Sequence, residues 1–163
     1  MPTIYGTVDL LEIARDSLVT HLTALATAMT SGSISPKFEA VYEDHWSTVA
    51  MTFPCVSVGI EESLNPFVGQ SSGTHRSDFN MRCTLRVMIG RSNAFRDEVK
   101  LMRLFQSTIN YLEERRKIYE SGSDKILCVG AMEARPLREF DDTRCLGGEL
   151  VLMLRGTGTF TRA

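Results

Sequence analysis

A chain of 163 residues fits one ordinary domain and buries roughly two thirds of the surface that its unfolded form exposes, so no disulfide or metal staple is required. Apolar residues make up 43% and charged residues 23%, the balance of a folded domain, which excludes a disordered chain. The 18 basic and 20 acidic residues are well mixed and give a net charge of −2, which excludes the electrostatic footprint of a dedicated nucleic-acid binder.

The opening Met1-Pro2-Thr3-Ile4-Tyr5-Gly6 has neither a basic nor an apolar leader segment, and no window nears the roughly 18 apolar residues of a membrane span. An intracellular protein with no membrane partner is the expectation. A first helix is predicted from Thr7 to Met29, because Leu11, Leu18, Leu22, Leu25 and Met29 recur at helical spacing. Ser31-Gly32-Ser33 ends it, and Pro36 prevents its resumption.

Lys37 to Glu43 alternates with the period of a partly exposed, edge-type strand, and a further strand is predicted from Cys55 to Glu61 once Pro54 has interrupted the apolar run. Asn65-Pro66, Gly69 and Ser71-Ser72-Gly73 mark a loop near 63–77. From Asp78 to Gly90 the alternation is nearly unbroken, with Phe79, Met81, Cys83, Leu85, Val87 and Ile89 on one side and Asn80, Arg82, Thr84 and Arg86 on the other.

A second helix is predicted from the Ser92-Asn93 cap to about Tyr119, its buried stripe being Phe95, Val99, Met102, Phe105, Ile109 and Leu112. Strands at 126–134 and 146–155 flank Pro136 and the acidic turn 139–142, and are expected to pair as a hairpin. The expected fold class is α+β: a mostly antiparallel sheet of about five strands packed against two amphipathic helices, in a single domain over 1–163 with a loose C-terminal tail at 156–163.

Reactive chemistry has little support in these residues. His21, His45 and His75 stand apart without metal-ligand spacing, and the four cysteines are widely separated in apolar stretches, as buried thiols are. Asp44-His45 lacks a nucleophile in a Gly-flanked elbow. Glu139, Asp141 and Asp142 lack the alternating oxygen ligands of a calcium loop and read as a solvated turn. No catalytic residue, metal or cofactor is expected. Arg82 and Arg86 share the polar side of the long strand, and Arg76 and Arg91 flank it, a basic strip suited to a neighbouring subunit's carboxylates. Together with Pro66 and Phe67 of the loop and Asp141 and Asp142 of the turn, these four arginines form the expected contact set.

The helix around Leu10-Leu11-Glu12-Ile13-Ala14, the run Phe53-Pro54-Cys55-Val56-Ser57-Val58, the alternating strand Phe79 to Ile89, the second helix and Glu149-Leu150-Val151-Leu152-Met153-Leu154 follow one another in an order that resembles the tail terminator and head-tail joining proteins of tailed bacteriophages. The resemblance implies a virion protein of the tail or neck, assembled in the host cytoplasm. Copies would close into a homohexameric ring that caps the tail tube protein, stops its polymerisation and docks the head-tail connector, with DNA only passing through the lumen. A neck or head-completion adaptor of the same particle is the alternative. A small enzyme using Asp44, His45 and the acids at 139–142, or a host-derived binding module, are rivals of a different class.

Overall fold

The computed structural model describes residues 6–44, 51–61, 74–92, 94–122, 124–137 and 145–161. Among them are two helices, α1 (Gly6–Ser31) and α2 (Ala94–Glu114), and six strands: β1 (Ala40–Tyr42), β2 (Cys55–Glu61), β3 (Thr74–Gly90), β4 (Lys117–Ser121), β5 (Asp124–Leu137) and β6 (Cys145–Thr161). The strands form one sheet in the order β1-β2-β3-β6-β5-β4.

The fold class differs from the one expected. β1 runs parallel to β2, with Ala40 opposite Cys55, so the sheet is mixed, and it curls into a half-barrel instead of lying as a layer under two helices. Strand content is also higher than foreseen. Lys117–Ser121 forms β4 where the second helix was expected to continue, and β6 runs on to Thr161 through the segment expected to be a loose tail. Alternation of polar and apolar residues fixes which side chains are buried, but it carries no information on strand direction or sheet curvature.

α1 lies across the mouth of the half-barrel. It packs on β1 and β2 at one end of the sheet and on β4 at the other, while α2 covers β3, β6 and β5 in the middle. The buried stripe of α1 is Ala14, Leu18, Leu22, Leu25 and Met29. It ends where Ser33 turns into the left-handed region (φ 53) and the N–H of Ile34 returns to the carbonyl of Met29 at 2.9 Å.

Met81, Cys83, Leu85, Val87 and Ile89 of β3 and Leu150, Leu152 and Leu154 of β6 point to the helices and join one continuous core with Val56 and Val58 of β2. The stripe expected on α2 is displaced. Leu101, Leu104, Phe105 and Leu112 are buried, whereas Val99 and Met102 face outward at 40% and 67% exposure. A second, smaller cluster of Met51, Cys55 and Met88, backed by Ala40, Tyr42 and Phe53, lies at the β1 end of the sheet.

β3 and β6 are the longest strands, 17 residues each, and pair along their whole length from Thr74↔Thr161 to Gly90↔Cys145. Among the described residues β2 pairs with β3 from Glu61↔Arg82 to Cys55↔Met88. Residues 74–77, expected to close the loop, pair instead with residues 158–161 of the expected tail.

Candidate interaction surface

On the side of the sheet away from the helices, register decides which polar groups meet. Arg86 of β3 and Arg135 of β5 both stand opposite Glu149 of the intervening strand β6. The Arg86 Nε donates to Glu149 Oε1 at 3.0 Å and the Arg135 Nε to Oε2 at 3.2 Å, so one carboxylate bridges three strands. Its side chain is only 9% exposed, whereas those of the two arginines are 36% and 47% exposed. The guanidinium planes thus shield a carboxylate that would be costly to bury unpaired.

The four arginines of the expected contact set take different places along and just beyond β3. Arg86 is engaged with its own chain's Glu149. Arg91 follows β3 and donates its Nε to the carbonyl of Cys145 at 3.0 Å, tying the ends of β3 and β6 together. Arg82 is half-buried on the same side of the sheet as Arg86, at the position where Glu61 of β2 and Met153 of β6 are its neighbours in register. Arg76 sits farther along β3, opposite Thr159. Pro66, Phe67, Asp141 and Asp142 lie outside the described residues, as do His45 and Glu139.

His21 of α1 is half-buried, and its Nε2 is 3.1 Å from the carbonyl oxygen of Ile118. That oxygen belongs to the residue at which β4 slips register against β5, and the imidazole Nε2–H donates to it there. Cys55, Cys83, Cys128 and Cys145 are free and buried. Burial pushes the Cys55 thiol up to about 12, with nearby Cys145 adding to the rise, and burial also raises that of Cys128.

Among the described residues no group of three or more His, Cys, Asp or Glu could hold a metal ion. No helix among them is long and apolar enough to cross a membrane. No protein-family model matches this chain, and no characterised protein matches it.

The surface that sequence reasoning missed lies on α2. Arg96, Glu98, Val99, Lys100, Met102 and Arg103 are all exposed on its N-terminal half, so two apolar side chains stand among three cations and one carboxylate. On β5, Leu127 and Val129 are likewise exposed at 39% and 54%. Val129 stands out because the strand bulges there, between Cys128 and Gly130, with Gly130 at φ 156. The signal for the α2 surface was present in the spacing: Leu101, Leu104, Thr108 and Leu112 form a second helical stripe, and a helix over a curved sheet buries only one of the two.

Proposed function

We propose that this chain is a structural subunit of a tailed-bacteriophage virion, a tail terminator that closes into a ring on the tail tube, ends tube growth and offers the other side to the head connector. The observation that most supports this reading is an apolar and cationic helix surface left facing solvent on a domain whose core is otherwise filled, with Met102 67% exposed beside Val99 at 40%. Exposed apolar side chains that stand together mark contact surfaces more often than scattered ones do. The order of elements along the chain, which resembles that of tail terminators and neck proteins, gives the partner its identity.

In this role geometry replaces reactivity. Head-to-tail association of identical copies yields a ring of fixed size when the rotation between neighbours closes, and a closed ring has no free end to extend. A tube capped by such a ring stops growing for the same reason.

Two measurements test the proposal. Purified chain is sized by light scattering and imaged by negative-stain electron microscopy, and particles are imaged after interruption of the gene. Closed rings, together with overlong headless tails in the mutant, are the expected result. Filled heads without tails would assign the chain to the neck instead. A chain that remains single at every concentration and also fails to bind assembled tubes would end the reading altogether.

A further inference from the structure

We infer that the contact between neighbouring copies in that ring is helix against helix, the outward face of α2 seating along the outward face of α1 in the next copy. The inference rests on the ring reading and names the two surfaces that would build it.

On its outward side, α2 is charged against its own dipole. Arg96, Lys100 and Arg103, with the exposed Glu98 among them, occupy the N-terminal half, where the helix end is positive and the charge stays net positive, and Glu113 and Glu114 occupy the last turn, where it is negative. The one carboxylate in the first turn, Asp97, is turned inward and capped against Ser92, accepting from its N–H and its hydroxyl at 2.8 Å each. Arg96 at the start and Glu113 and Glu114 at the end are thus mildly unfavourable within the helix itself, whereas Glu98 is not. A local arrangement that works against its own element is best explained by a partner outside it. Val99 and Met102 stand among the cations as projecting apolar groups.

The outward side of α1 is complementary in charge. Its N-terminal half carries the exposed carboxylates Glu12 and Asp16. Arg15 contacts both, at 3.5 Å and 3.1 Å, so two negative charges are met by one positive and the pair stays net negative.

Charge also selects the relative direction. With the helices parallel, the cations of α2 lie beside the carboxylates of α1, whereas with the helices antiparallel Glu113 and Glu114 would face Glu12 and Asp16. Juxtaposed like charges disfavour the second arrangement. Because the two surfaces differ, the contact is heterologous, as a ring of identical subunits requires.

The test is a charge swap read by light scattering across a concentration series. Arg96→Glu with Arg103→Glu is expected to raise the concentration for half-assembly at least about tenfold, and adding Glu12→Lys with Asp16→Lys to the same chain is expected to restore assembly. A folding defect would not be repaired by the second pair. As an independent check at a largely exposed position, Met102→Ser is expected to weaken assembly while leaving thermal unfolding nearly unchanged. Assembly that survives both α2 variants overturns the helix contact and leaves the ring reading standing. Assembly lost in the first variant and not restored in the combined one removes α1 as the acceptor. Wild-type chain that never associates and never binds tubes sinks the ring and this contact together.

Discussion

The ring of Phe105 lies directly over Gly148, so closely that a Cβ at that glycine would stand 2.4 Å from the phenylalanine Cζ and 3.1 Å from the carbonyl oxygen of Arg135. Gly148 faces the helices opposite Val87, and its missing side chain is what lets α2 settle onto the middle of the sheet. Gly148→Ala should destabilise the fold by about 1–3 kcal/mol through overpacking. Pairing it with Phe105→Leu should cost less than the sum of the two single changes. Thermal or urea unfolding of the three variants checks this, and strict additivity would refute it.

Glu149 is held between two guanidiniums, so removing it leaves both facing each other across β6. The arginines are more than a third exposed, and solvent screens what remains. Glu149→Ala should therefore cost about 1–2 kcal/mol, less than the rupture of a fully buried pair. Adding Arg86→Met should recover part of the loss by removing one of the two stranded charges. A double variant less stable than the single one would count against this account.

His21 links the first helix to an outer strand through the Ile118 carbonyl. His21→Ala should lower stability by about 0.5–1.5 kcal/mol and leave that oxygen to solvent. Amide hydrogen exchange should quicken in β4 more than in β3. Uniform acceleration across the sheet would mean that the bond supports the fold as a whole and not that edge in particular.

The Cys55 thiol bears on stability at alkaline pH. Its ordinary value is 9.0, and burial raises it to about 12 in the folded chain, so the unfolded chain ionises first as pH climbs. The stabilisation is complete below pH 9.0 and is lost progressively as pH rises toward about 12. Cys55→Ala should flatten the alkaline fall in melting temperature. Thiol labelling near neutral pH should be slow for all four buried cysteines until denaturant is added, and fast labelling of Cys55 in the native chain would contradict its burial.

Much of the local structure is legible in the residues. The leucines of α1 fall on its buried face, β2 occupies Cys55–Glu61, and inward and outward positions along β3 follow the alternation of its sequence. β4 was hidden because Arg115-Arg116-Lys117 read as cations completing a helix, although Ile118-Tyr119 followed by Ser121-Gly122 is also the signature of a strand entering a tight turn. The structure takes the second course, with Gly122 at φ 61. The end of β6 was hidden by Gly156 and Gly158, which outweighed the strand preference of Thr157, Thr159, Phe160 and Thr161. At the surface, an arginine strip was evident but its commitment to Glu149 was not, because that pairing depends on the register between strands 63 positions apart. The exposure of Val99 and Met102 likewise depends on which of two stripes a curved sheet accepts.

The last strand in the chain sits in the middle of the sheet, with β3 on one side and β5 on the other. A ribosome that has not yet released residues 145–161 therefore holds two half-sheets, β1-β2-β3 and β4-β5, that nothing joins. Stalled or truncated copies keep two long strand edges open, the kind of backbone that proteases and chaperones recognise. Among the described strands β6 alone closes that gap, so the two half-sheets become one only once residues 145–161 are in place.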